Sequence, residues 1–405
     1  MKFILLLFST LTALRLFAGD GDWPQFRGPT SSGTAPNATI PDVPKIDWSV
    51  PLPGRGLSSP IIVGEKLFVT CASGPRQETL QLLCLNAADG QKLWDRQLKA
   101  TGRTTSHPKT SIASCTPCSD GRERVFAMWS CNDVAAFDLD GQLLWLRALT
   151  VDYPNASNSL GMASSPIVIG ETLVVMIEND SESYALGLDV KTGRNLWKLN
   201  RPKVANWTSP VAWQADPAAG PVAVLQSGEG VIGVDPASGS QLWDYPNGAS
   251  TMSSPVVADG VIFTPSNGLT ALVPGGSGGA PEILWQARQL NPSTISPLAL
   301  GGRIYSINGA GVIATADAKT GETGWKLRLK GPFSSSPVGA KNRLLVVNET
   351  GLVQVVEIAG EEGKAAATLQ LPLKAEAKEL ILSTPSLSGD HVFIRGDSTL
   401  WRLGP

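Results

Sequence analysis

The sequence predicts an all-β fold: an eight-bladed β-propeller of four-stranded antiparallel blades, closed by an N-terminal strand that completes the last blade. Three observations predict it. A Ser/Thr-Pro pair followed by a short apolar run recurs eight times, at spacings of 40 to 57 residues. A turn glycine stands four residues before a tryptophan at five places. The last repeat is one strand short, while a strand-like segment with no blade of its own precedes the first.

The pairs are Ser59-Pro60, Thr116-Pro117, Ser165-Pro166, Ser209-Pro210, Ser254-Pro255, Ser296-Pro297, Ser336-Pro337 and Thr384-Pro385. The glycine–tryptophan offsets are Gly90/Trp94, Gly141/Trp145, Gly193/Trp197, Gly239/Trp243 and Gly321/Trp325; Trp285 and Trp48 hold equivalent places without that glycine. Each unit reads alike. In the first, Ile61 to Val63 leads through Gly64-Glu65-Lys66 into Leu67 to Cys71, then Leu80 to Asn86, then across Asp89-Gly90 to a strand ending near Trp94. Asp-Gly, Thr-Gly and Ser-Gly turns supply the positive φ of tight hairpins. Four short strands per repeat of this length make a propeller blade.

The final unit offers Pro385 to Leu387, His391 to Arg395 and Ser398 to Leu403, and Ile46 to Val50 is the expected donor of its fourth strand. That pairing removes two exposed sheet edges. The tryptophans in register are expected to pack against neighbouring blades, each burying on the order of 200 Å². Trp129, Trp207 and Trp213 fall outside that register.

Composition narrows the function classes. Lys plus Arg number 33 against 35 Asp plus Glu, and only 17% of residues are charged, so no basic footprint for nucleic acid exists. The 42 Gly and 30 Pro are separated by runs of Val, Ile and Leu, which signals short strands rather than disorder. Lys2, the apolar run Phe3 to Leu14 and the small residues Ala18-Gly19 read as an export leader cleaved before Asp20. Residues 1–19 are therefore expected to be a signal peptide and 20–405 the propeller. Arg15 interrupts the run too early for a membrane span, and no later stretch is long enough. The cleavage site lacks a cysteine for lipidation, so a periplasmic or secreted monomer is expected.

The motif Asp-x-x-Thr-Gly-x-x-x-Trp, at Asp189 to Trp197 and Asp317 to Trp325, resembles the repeat of the PQQ-like (quinoprotein-type) β-propellers. Asp235 to Trp243 carries Ser238 for Thr, and Asn86 to Trp94 and Asp138 to Trp145 are looser copies. Trp23-Pro24-Gln25-Phe26-Arg27-Gly28-Pro29 resembles the opening of a large group of secreted bacterial propellers. The resemblance implies the fold across the mature chain. It does not choose between quinoprotein dehydrogenases and BamB-like scaffolds, because one fold hosts both. The dehydrogenases hold PQQ with Ca²⁺, a catalytic Asp and, in the alcohol-oxidising branch, adjacent cysteines. No Cys-Cys pair occurs here, so no cofactor is expected, and PQQ with Ca²⁺ stands as the alternative.

In a four-stranded blade, the turns between strands one and two and between three and four lie on one face. The remaining connections lie on the other, and here they are long: Lys99 to Ala113, Val151 to Ala163 and Glu178 to Ser183. Long loops on a rigid scaffold carry binding residues. That face gathers His107, Asp152, Tyr153, Asn155, Asn158, Glu178, Asn179, Asp180, Asn206 and Trp207 in the first four blades. Their side chains suit a polar ligand, a carbohydrate, a protein partner or a hard cation, although Asn and Asp also cap their own turns. The expected role is a binding or scaffold module, with a dehydrogenase or a carbohydrate-related accessory protein as alternatives.

Other motifs carry less. Cys115-Thr-Pro-Cys118 lacks the histidine of a haem-attachment site. Cys131, near Cys115 in the expected register, makes a Cys115–Cys131 disulfide the pairing to test. Gly275-Gly-Ser277-Gly-Gly279 matches a nucleophile elbow formally, but it interrupts a blade rather than joining strand to helix. With two histidines in the chain, neither a base for Ser277 nor a His-rich metal site is available.

Overall fold

The computed structural model describes residues 21–405 except 157–159, 215–219 and 276–278. The leader, Asn158 and Ser277 lie outside the described residues. Eight four-stranded antiparallel sheets form the blades of a ring. Blade three is typical: Ile167–Ile169, Thr172–Ile177, Tyr184–Asp189 and Asn195–Asn200 follow one another from the axis outward. Its second strand is buried at every position, while its outermost strand is largely exposed, with Trp197 turned inward. Inner strands therefore read as continuous apolar runs, and outer strands alternate.

The ring closes as expected. Lys45–Pro51 pairs antiparallel with Thr399–Gly404, placing Trp48 opposite Arg402, and completes blade eight. Apolar residues of blades one, seven and eight share one core cluster with Trp23 and Ile40, so the seam is buried like any other joint. Arg395, fully buried in blade eight, donates to Ser58 Oγ and, at 2.6 Å, to Thr70 O of blade one.

Neighbouring blades are keyed by tryptophan. The indole N–H of Trp48, Trp94, Trp145, Trp197 and Trp285 donates to Ala88, Leu139, Val190, Pro236 and Ala318 of the next blade, at 2.8 to 3.1 Å. Each ring lies on the turn glycine of that blade. At Gly239, with φ +74°, an added Cβ would stand 2.6 Å from Trp197 Cγ, so only glycine serves both the turn and the close approach. Trp325 instead rests on Gly363, and the indole N–H groups of Trp243 and Trp325 have no partner among the described residues.

The cysteines depart from expectation. All five are free and buried. The strand expected to bring Cys131 beside Cys115 stops at Met128, and Cys131 sits in the following turn with its thiol 3.2 Å from Asp133 Oδ2. Cys115 belongs to a different core cluster, so the two are not joined. Burial pushes the Cys115 thiol up to about 12, which leaves it an inert core residue.

Candidate functional site

The propeller's axis is a blind cup. Its floor is made by residues 22–40, which cross the channel on the face of the short turns. Trp23 exchanges two 2.9 Å backbone bonds with Ile62 in blade one, and Ser119 N of blade two donates to Pro24 O. Gly339 N of blade seven donates to Gly33 O, and Thr39 N donates to Gly389 O of blade eight. Between these anchors Arg27 is 1% exposed and donates to Ser32 O and Pro297 O, and at 3.4 Å to Ser296 O. Desolvation pulls its pKa down to about 9, so the guanidinium remains charged at neutral pH. Three carbonyl dipoles hold it in place of a carboxylate.

The wall is a ring of hydroxyls. All eight Ser/Thr-Pro pairs contribute their Ser or Thr side chain to a central cavity of about 530 Å³. Each hydroxyl residue is at most 5% exposed. From Ser59 round to Thr384, the backbone N–H of one blade's ring residue donates to the hydroxyl of the next, at 2.9 to 3.2 Å over seven joints. At the seam the bonds differ, and Ser386 Oγ donates to Pro60 O at 2.5 Å.

The mouth opens on the long-loop face. His107, Lys109, Leu160, Trp207, Met252, Phe333 and Glu349 line it, and Phe26 reaches the cavity from the floor segment. Lys109, on the loop between blades one and two, donates to both oxygens of Glu349 in blade seven at 3.1 and 3.0 Å. Ser334 Oγ adds a 2.7 Å bond to the same carboxylate. His107 N donates to Leu160 O, its Nδ1 accepts from Lys109 N at 3.1 Å, and Trp207 Nε1 donates to Gly161 O at 2.8 Å. Three adjoining loops are thereby tied together.

Of the ten residues singled out from sequence, His107 and Trp207 reach the cup. The others that are described build two packing clusters at its side. Glu178 forms a buried ion pair with Arg201 at 2.6 Å and accepts from Asn206 Nδ2 at 2.9 Å. Burial raises its pKa against the pull of those partners. Asn179 caps its own loop through Ser181 N and Glu182 O, and Asp180 accepts from Ala205 N at 3.3 Å. Tyr153 packs against Tyr184 with ring centroids 4.6 Å apart and planes tilted by 50°, lies under the Lys198 ammonium and accepts from Asn195 Nδ2. Asp152 pairs with Arg147 at 2.5 Å, and the Asn155 carbonyl accepts from Ser181 Oγ. Glu178, Asn179 and Asp180 therefore do not converge on a cation. Sequence reasoning missed Phe26, Lys109, Met252, Phe333 and Glu349, and it read the Ser/Thr-Pro pairs as repeat markers only. The mouth also draws on blades beyond the fourth.

Fold and site define a closed eight-bladed propeller with a plugged, loop-mouthed channel. The chain belongs to the PQQ-like propeller family described as outer membrane protein assembly factor BamB, which matches residues 44–182, 159–279 and 280–404. Its fold is similar to BamB from Moraxella catarrhalis, with TM-score 0.65 and 13% identity over 90% of this chain and 98% of that one. It is also similar to a europium-containing methanol dehydrogenase, with TM-score 0.70 and 11% identity over 97% of this chain and 100% of that one. The quinohemoprotein alcohol dehydrogenase of Comamonas testosteroni gives 0.70 and 12% over 96% and 82%. These likenesses are of fold alone. A polyvinylalcohol dehydrogenase of a Pseudomonas species is 27% identical over 179 residues, 40% of this chain but 26% of that protein's length. Among the described residues no helix is long and apolar enough to cross a membrane.

A quinone–calcium centre needs several oxygen ligands around the metal. Among the described residues Glu349 is the one carboxylate lining the cup, and Lys109 donates to both its oxygens. Among the described residues no group of three or more His, Cys, Asp or Glu is placed to hold a metal ion. The described residues of the cup do not fit such a centre.

Proposed function

We propose that this chain is a periplasmic or secreted binding module whose long-loop face, centred on the cup, receives a ligand or a segment of a partner. The observation that carries this reading is the state of the cup's charges. Lys109 and Glu349 neutralise each other, His107 Nδ1 accepts from its own loop, and the rest of the lining is hydroxyl or apolar. General acid–base chemistry needs a titratable side chain aimed at the reacting atom. A binding site needs only shape and a few convergent polar groups, which the cup supplies.

A dehydrogenase is the second reading. It draws support from the fold shared with the methanol and alcohol dehydrogenases and from the partial match to the polyvinylalcohol enzyme. One assay separates the two. Purified protein reconstituted with PQQ and Ca²⁺ should reduce no dye acceptor when offered methanol, ethanol, glucose or poly(vinyl alcohol). Dye reduction above the protein-free control would establish the dehydrogenase and overturn the binding reading.

A further inference from the structure

We propose that the cup binds a neutral, disc-shaped polyol, such as a hexopyranose unit or a cyclitol; this rests on the binding-module reading. The argument begins with the wall. A hydroxyl carries one proton and two lone pairs. In seven of the eight ring residues one lone pair accepts a neighbouring blade's N–H, and none of the eight donates to another described residue. Each of those seven is left with one proton and one lone pair in a site that is nine-tenths or more buried. Buried polar groups seek partners. A group that donates and accepts at once meets the remaining proton and lone pair together, as an alcohol does and a carboxylate does not.

Charge and shape narrow the ligand further. The cup's ammonium and carboxylate are committed to each other, so an ionic ligand would lose its hydration without gaining a free counter-charge. The ring supplies one hydroxyl per blade, so matching groups must lie around a perimeter. Phe26 lies on the floor side, and Trp207, Met252 and Phe333 lie on the mouth side. A pyranose has that form, with hydroxyls at its edge and C–H groups on both faces. An extended peptide instead carries its polar groups along a line.

Calorimetry on the purified protein tests this with glucose, galactose and myo-inositol as probes, and glucuronate, galacturonate and myo-inositol monophosphate as their charged counterparts. At least one neutral probe should bind, and its charged counterpart should bind at least tenfold more weakly. Thr116→Val and Thr384→Val keep the side chain's shape and remove its hydroxyl. Each should weaken binding roughly tenfold, the scale of one hydrogen bond. Met252→Trp, at a side chain 50% exposed on the mouth, should abolish binding with the thermal melt unchanged. Silence from all neutral probes, equal binding of the charged counterparts, or binding indifferent to Met252→Trp would each overturn the proposal. Silent calorimetry with no dye reduction counts against this inference alone, whereas dye reduction counts against the binding reading beneath it.

Discussion

At the scale of single residues, the repeat motif is explained by turn chemistry. Asp189 Oδ1 accepts from Lys191 N, Thr192 N and Thr192 Oγ1 at 2.7 to 3.1 Å, and Asp317 repeats the pattern with Lys319 and Thr320. This is why Asp leads the motif and Thr stands three residues on. Hydrogen bonds to the charged form hold both carboxyls below their usual range, the Thr192 hydroxyl leading at Asp189 and the Thr320 N–H at Asp317. A carboxyl depressed in the folded state stabilises it above the unfolded pKa of about 3.9, and that stability is lost as pH falls through the lower folded value. Replacing both by Asn should therefore flatten the fall of Tm as pH drops from about 5 to 2 and lower Tm slightly at neutral pH, because the amide oxygen still accepts but carries no charge. An acid limb as steep as the parent's would contradict this. Motif and turn were legible from sequence, since every partner lies within three residues.

At the scale of the element, the same turns act twice: they reverse the chain and seat the previous blade's indole. Two glycines separate these roles. Gly64 has φ +58° with nothing near its missing Cβ, whereas Gly239 has φ +74° and faces Trp197. Gly64→Ala should cost about 1 kcal/mol for the left-handed backbone alone. Gly239→Ala should cost roughly 1–3 kcal/mol beyond that, because the indole must shift. Denaturant melts of the two variants measure the difference, and equal losses would mean that the tryptophan does not key the blades. The glycine–tryptophan offset was visible in sequence, but its meaning was not. The glycine lies under the tryptophan of the blade before, 36 to 48 residues earlier, rather than under the one four residues on.

At the scale of the whole molecule, stability depends on closing the ring. Lys45–Pro51 covers the edge of Thr399–Gly404, and its Trp48 seats on blade one as the other tryptophans seat on their neighbours. Deleting residues 45–51 should lower the melting temperature by on the order of 10 °C, since several kcal/mol of pairing and burial are lost and an open edge remains. An unchanged melt would mean that blade eight holds the ring without its fourth strand.

Repeat count, blade architecture and strand exchange between the termini followed from sequence alone, because periodic patterns and turn residues act over short range and an incomplete last unit exposes its own deficit. Only the tertiary structure decided where the site lies. Residues 22–40 carry no repeat, yet they pair with blades one, seven and eight and close one end of the channel. Lys109 and Glu349 are 240 positions apart and meet at the mouth. The Ser/Thr of each pair looks like a local marker in sequence, and the ring it makes is a property of eight blades arranged about one axis. Tyr153 and Glu178 looked like ligand groups and were claimed by nearer partners, because a buried ring or carboxylate takes whichever neighbour satisfies it.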